Sequence, residues 1–362
     1  MHRREMHDED PYAHVCTLGA ARGPVAAAAR PQGRLVPGWL PGHAGFALPP
    51  LVARRLRARA RRGQRVAVHL TDARLAPLGR WLRRRASVPV SVDVSPRDLS
   101  LTGPAAERMF AALDALDAAF VFGGGGEAAL RLRTRCVPVM PLPLVALAPA
   151  APSAHAIAAV ARTCAAVEAD RPLIALPWTG DDTSWRSFRQ SVLPMLDGGV
   201  PLLVFGVPDR HVARRLRSLA GWPAPPLVHV APFGDDLIAA VARCADAFLV
   251  PWKLAADAPE ADGLLRLALA ASGTAVIAAD DGAPVLAHEG NAFTVRQGDG
   301  FGFRASLDQY LCLPARQRHY IGAEFAEYTL QRWPAEAASR IYEERFAALS
   351  GHPRVPAALR AA

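Results

Sequence analysis

At 362 residues and 51% hydrophobic, the chain is long enough for two domains, each with its own core. No run of about 18 uncharged apolar residues occurs and the opening MHRREMHDED is too charged to begin a signal peptide, so neither a membrane span nor a secretory leader is expected, and a cytoplasmic protein is. The net charge of +9 is uneven: residues 1–150 hold 22 Arg against 11 Asp plus Glu, and all of the excess lies there.

Residues 1–30 show no periodicity and predict an irregular segment. RLVPGW then reads as a strand and PPLVARRLRARARRG as a basic helix. From about residue 65 short β-type runs alternate with helical ones: RVAVHL, LAPLGRWLRRRA, VPVSVDVS, AERMFAALDALD, AAFVFGGGG. That alternation implies a parallel sheet. The Pro- and Ala-dense stretch 137–156 breaks it and reads as an interdomain linker. A second series follows, with strands PLIALPW, PLLVFGV, PLVHVA, AFLVPW and TAVIAA separated by helical runs, which predicts a doubly wound α/β domain. The chain closes in helices, EFAEYTLQRW and PAEAASRIYEERFAAL, divided at Trp333 and Pro334. Cys16, Cys136, Cys164, Cys244 and Cys312 are far apart and form no CxxC or Cys/His cluster, so neither a disulfide framework nor a metal site is expected.

Glu260 to Gly263 falls after AFLVPW and before LLRLALAA, which predicts a strand-to-helix loop at the carboxyl end of a sheet. The amides of Gly263, Leu264 and Leu265 would point out of a helix N-terminus, where the dipole favours an anion such as phosphate. On these residues alone, a capping Asp262 and a solvated Glu260 is the alternative.

The surrounding string EADGLLRLALAASGTAVIAADDGAPVLAHEGNAFTV resembles the donor-binding segment of GT-B glycosyltransferases of family 4. In that family a Glu opens a Gly-rich loop, a second Glu follows two turns later on the helix, and a Gly and a strand come next. The spacing puts the first Glu on Glu260 and the loop glycine on Gly263. The second, which holds the nucleotide ribose in the family, falls on Ala268, and losing that charged acceptor would weaken donor binding by about 1.5 to 3 kcal/mol. The family's acid-Gly-Asn-Gly turn ends here in Ala292. Its base-binding loop corresponds to Phe233, Gly234 and Asp235. Its Arg and Lys-Gly partners of the donor pyrophosphate have no counterpart: the Arg position falls near Trp178, and Arg186 and Arg189 are the nearest cations. Arg186 as a substitute and Arg186 as a solvated helix-face residue both stand. The family's first-domain His would fall near Val94 or Ser95 and is absent, with Asp93 and His69 nearby.

The resemblance implies an α/β protein of GT-B type: two Rossmann-like, doubly wound parallel-sheet domains facing a cleft, with C-terminal helices. Residues 1–150 would form a small basic acceptor-side domain, 151–330 the nucleotide-sugar domain, and 331–362 a helix and tail packing back toward the first. The expected activity is transfer of a sugar from a nucleotide diphosphate donor to a glycan or lipid-linked acceptor in bacterial surface polysaccharide or glycoconjugate synthesis, with retention and with neither metal nor cofactor. Glu260 and Arg186 would be catalytic. Phe233, Gly234, Asp235, Asp262, Gly263, Leu264 and Leu265 would bind the donor, and His69, Asp72, Asp93 and Gly124 would face the acceptor. A transferase-like protein that has lost catalysis and binds a protein partner is the alternative, favoured by Ala268 and the missing cations.

The run GGGG at 123–126 lacks the Lys-Ser/Thr of a phosphate loop and predicts a flexible strand-to-helix turn. The basic run from Arg54 to Arg65, with RWLRRR at 80–85, has no aromatics interleaved except Trp81. It suits an anionic membrane surface at the inner face better than nucleic acid, with a solvated face as the plain alternative.

Overall fold

Parallel strands cannot be joined by tight turns, so a chain that alternates β-branched runs with helical ones must cross over between them. The computed structural model describes residues 14–18, 49–62, 66–149, 151–168, 171–178, 185, 188, 192, 200–207, 210–218, 226–231, 235–252, 259–280, 293–296 and 299–349. It forms two units, Met1–Pro143 with Glu336–Ala362, and Leu144–Ala335.

In the first unit β1 (His14–Leu18), β2 (Val66–Leu70), β3 (Val90–Val94), β4 (Ala118–Phe122) and β5 (Val139–Leu142) pair parallel in chain order. Their crossovers carry α1 (Pro49–Arg61), α2 (Ala76–Ala86), α3 (Pro96–Leu99), α4 (Pro104–Leu113) and α5 (Gly123–Arg133). Alternation sorts the strand residues by face. Val66, Val68, Leu70, Val90, Val92 and Val94 meet Leu56 of α1, Leu82 of α2 and Leu113 of α4 in one core. Local chemistry sets the helix ends. Ser95 and Asp98 form a reciprocal capping box at the start of α3, and α2 stops where Ser87 takes φ 54°.

The second unit holds six parallel strands: β6 (Ile174–Pro177), β7 (Leu202–Val207), β8 (Leu227–Val230), β9 (Ala247–Val250), β10 (Ala275–Asp280) and β11 (Phe293–Arg296), ordered β11-β10-β9-β6-β7-β8. With them go α6 (Ala154–Cys164), α7 (Arg210–Arg217), α8 (Asp235–Ala242), α9 (Pro259–Ala270), α10 (Gly300–Leu311) and α11 (Ala315–Arg332). The strands are apolar at nearly every position because both faces are covered. Ile174, Leu176, Val204, Leu249 and Ile277 pack with Phe303 and Tyr310 on one side; Ala175, Phe205, Phe248 and Val276 pack with Val160, Leu267 and Phe325 on the other. The chain then returns, and α12 (Ala335–Leu349), all but its first residue, belongs to the first unit.

Several expectations need correction. Residues 1–30 contain β1, which pairs residue for residue with β2 from His14↔Val66 to Leu18↔Leu70, so a five-residue run too short to show periodicity is stabilised by its neighbour. The stretch 137–156 is not all linker. It contributes β5, where Pro141 is tolerated because β5 is an edge strand, and the start of α6, capped by the Ser153 hydroxyl accepting from the Ala156 N–H. The glycines at 123–126 form the first turn of α5 rather than a loose turn: Gly123 has φ 72°, and a Cβ on Gly126 would lie 2.9 Å from Val121. RLVPGW lies outside the described residues.

Packing against β10 sets one sharp constraint. A Cβ on Gly322 of α11 would collide with the Gly273 carbonyl oxygen and sit 2.9 Å from the Ala275 nitrogen, backbone atoms that cannot swing aside. Gly322→Ala is expected to destabilise by about 3 kcal/mol, the upper end of the overpacking range. Gly124→Ala, where a Cβ meets nothing within 4 Å, should stabilise by about 0.5 kcal/mol. Chemical denaturation of both variants checks the contrast.

Candidate functional site

In the six-stranded sheet the order reverses between β6 and β9: β7 and β8 follow β6 toward one edge, while β10 and β11 follow β9 toward the other. In open α/β sheets ligands bind outside the carboxyl ends of the strands at such a reversal. Here those ends are occupied by tryptophans. Trp178 follows β6, its backbone N–H donating to the Phe205 carbonyl at 2.8 Å, and Trp252 follows β9 after Pro251. Each is 2% exposed, and their rings meet edge to face with centroids 6.3 Å apart. Trp185 and Phe188 pack on Trp178 at 5.6 and 5.7 Å. Among the described residues neither indole Nε1 has a hydrogen-bond partner. The position at which the resemblance expects an arginine is therefore taken by a buried aromatic cluster, with the Arg215 guanidinium stacked on Trp185 at 4.1 Å.

Beside it, α9 begins at Pro259, whose fixed φ suits a first helical position. This moves the expected loop into the helix. Glu260, Asp262 and Gly263 form its first turn, so the amides of Gly263, Leu264 and Leu265 are turned inward to helical carbonyls, and those of Glu260 and Ala261 face out of the N-terminus. Asp262 pairs within its own helix. Its carboxylate accepts from Arg266 Nε at 2.8 Å, with the two residues 6% and 1% exposed, and Arg266 Nη2 reaches the Trp252 carbonyl at 3.4 Å. An i,i+4 ion pair thus ties the first turns of α9 to the segment leaving β9. Gly263 is needed for packing: a Cβ there would lie 2.8 Å from Leu144 Cδ1. Leu265 and Ala268 lean on the apolar cluster beneath the sheet. Asp235 opens α8, while Arg186, Phe233, Gly234 and Ala292 lie outside the described residues, as does the side chain of Glu260.

The first-unit residues separate into one cluster and two outliers. His69 Nε2 lies 3.1 Å from Asp93 Oδ2, and His69 Nδ1 lies 3.0 Å from Ser91 Oγ. The order Asp, His, Ser is that of a serine-nucleophile triad, but with the two ring nitrogens exchanged, since a triad sets its Asp on Nδ1 and its Ser on Nε2. Burial denies it the chemistry, since Ser91 is 0% and His69 3% exposed. The cover is α12: Tyr342 donates its hydroxyl to Asp93 Oδ1 at 2.5 Å, and Tyr342 and Phe346 meet the His69 ring edge to face at 5.5 and 5.4 Å. Phe120 completes the box. The cluster fastens the last helix onto the first sheet. Ser91 and Tyr342 carry no sequence signal for this, because Tyr342 lies 249 residues from Asp93. Asp72 accepts from the Arg74 N–H at 2.8 Å and starts a single turn, and Gly124 is exposed on α5, so neither joins His69 and Asp93.

Among the described residues no three His, Cys, Asp or Glu side chains come together to hold a metal ion, and no helix is long and apolar enough to cross a membrane.

No protein-family model matches the chain, nor does any curated protein. Solved structures do. HepE of Anabaena, in complex with UDP and glucose, aligns with a TM-score of 0.52 at 12% identity over 85% of this chain and 84% of its own. The α,α-trehalose 6-phosphate synthase of Burkholderia multivorans aligns at 0.50, with 17% identity, over 84% and 74%. The UDP-forming α,α-trehalose-phosphate synthase of Burkholderia xenovorans, in complex with glucose-6-phosphate, aligns at 0.50, with 14% identity, over 86% and 80%. The shared architecture is the GT-B glycosyltransferase fold, and this chain has it.

Two stability measurements follow from these contacts. Asp262→Ala removes the carboxylate that accepts from the buried Arg266 Nε, and about 1.5 to 3 kcal/mol should be lost in denaturant titration. Burial, then the neighbouring Asp93 carboxylate, holds the Tyr342 phenol well above its ordinary value. The folded state therefore keeps a proton that the unfolded chain releases near pH 10, so this stabilisation is complete below pH 10 and is lost as pH rises through the folded value. Tyr342→Phe should remove about 1.4 kcal/mol per pH unit from the alkaline decline, read from denaturant titrations at pH 9 to 11.5.

Proposed function

We propose that the chain is a glycosyltransferase that moves a sugar from a nucleotide diphosphate donor to a glycan or lipid-linked acceptor, in bacterial surface polysaccharide or glycoconjugate synthesis. The observation that carries this reading is the reversal of strand order at β6 and β9 with the N-terminus of α9 beside it, in a chain of GT-B fold. The physical task in such a transfer is to stabilise the diphosphate as it leaves. The outward amides of Glu260 and Ala261 and the α9 dipole supply fixed partial positive charge where that anion would form. Glu260 would hold hydroxyls of the donor sugar, with Arg186 as the nearest counter-charge. Asp262 and Arg266 are positioning residues, which hold the helix start against the strand end. The Trp178 and Trp252 wall keeps water from the reacting centre, where it would hydrolyse the donor. Retention of configuration and independence from metal follow the family resemblance.

UDP is the first nucleotide to test, because the Anabaena neighbour is solved with UDP and glucose and the Burkholderia xenovorans neighbour is UDP-forming. Calorimetric titration with UDP, GDP and a panel of their sugars should find one nucleotide sugar that binds. Glu260→Ala should weaken it by at least tenfold, the loss of one hydrogen bond to a charged group. Product release with an acceptor panel, unchanged by a chelator, tests the transfer itself.

A second reading, a glycosyltransferase-like protein that binds or scaffolds without catalysis, is favoured by two positions. Ala268 packs into the apolar cluster where the resemblance expects a ribose-binding acid, and Trp178 is buried where it expects a cation. Nucleotide binding without release of product across the panel would support that reading. No binding at millimolar ligand by a folded sample would defeat the transferase reading.

A further inference from the structure

The first unit carries a surface that neither its core nor the His69 cluster uses. Residues 49–62 and 76–86, which form α1 with Arg62 and α2, contain ten arginines and no Asp or Glu. The two helices lie together, and the Arg57 guanidinium donates to the Arg85 carbonyl. Arg54, Arg57, Arg61, Arg62, Arg84 and Arg85 are all exposed. Among the described residues, the carboxylate paired with these helices is that of Asp117, 2.9 Å from Arg83.

A merely solvated helix face usually alternates sign, since like charges one turn apart weaken a helix. On α1, Arg57 and Arg61 stand one turn apart. The dipole offsets the repulsion only in the last turn of each helix, at Arg59 and Arg61 and at Arg83 to Arg85. An anionic partner would relieve the rest. Three features say which. Leu56 and Leu82 anchor both helices flat on their sheet, so neither projects to enter a nucleic-acid groove. Trp81, the aromatic of α2, leans on the core and offers no stacking platform for bases. Two adjacent helices instead spread guanidinium forks over a broad layer, the geometry that suits the repeated phosphates of a lipid surface.

We infer that the arginine face of α1 and α2 docks the protein on an anionic phospholipid bilayer. The inference is independent of the transferase reading, because it concerns the first unit alone and is measured without nucleotide sugar.

The full chain is sedimented with vesicles of phosphatidylcholine alone, or with about 30% phosphatidylglycerol, at low and high salt. The expected result is binding to anionic vesicles only, weakening by more than tenfold between about 50 and 300 mM salt. Each arginine near such a surface contributes about fivefold. The combined variant Arg61→Gln, Arg62→Gln, Arg84→Gln should therefore bind about a hundredfold more weakly. Arg210→Gln, Arg316→Gln, Arg340→Gln removes the same charge from exposed positions elsewhere and should bind as the parent does. Thermal melts establish that both variants fold, and the salt series on the parent stands without them. No binding to anionic vesicles, equal binding to neutral ones, or equal losses in the two variants would each overturn the inference. Salt-dependent binding to generic RNA or duplex DNA by a protein that ignores vesicles would give the face to nucleic acid.

Discussion

A parallel sheet must be buried on both faces, and most of this molecule answers to that requirement. In the second unit it makes the strands apolar throughout and enlists helices on either side. In the first unit α1, α2 and α4 cover one face, and the other receives α12 from the far end of the chain. The return of the last helix is thus a consequence of the sheet's geometry. The polar contacts of Tyr342 and Asp93 choose where on that face it settles.

The same constraint explains why His69, Ser91 and Asp93 form a catalytic-looking chain without catalytic access. All three lie on strands β2 and β3 and point to the face that α12 closes. Buried polar groups need partners, and these satisfy one another. A histidine, a serine and a carboxylate in hydrogen-bond contact are therefore as much a way of filling a sheet face as a way of doing chemistry. Burial decides between the two.

At the reversal of the second sheet, the buried pair of Asp262 and Arg266 shows a related economy. Two charges out of water give little net stability, yet their geometry is directional. The pair links the first turns of α9 to the backbone that leaves β9. It orients the open N-terminus of the helix relative to the tryptophan wall. Asp262 is thereby part of the frame.

Alternation of short apolar runs with helical ones was enough to read parallel α/β architecture, the doubly wound second unit and the basic character of α1 and α2, because those features rest on periodicity and composition within a few turns of chain. Strand β1 was illegible, since five residues acquire their conformation only by pairing with β2. The apolar pattern starts α9 one turn late, because Pro259 begins the helix before that pattern does. What only the tertiary structure decided are the long-range pairings: Tyr342 on Asp93, Trp252 beside Trp178, Arg57 against Arg85, Gly322 on the backbone before β10. Each depends on a close approach between segments far apart in the chain, and no local pattern encodes a distance.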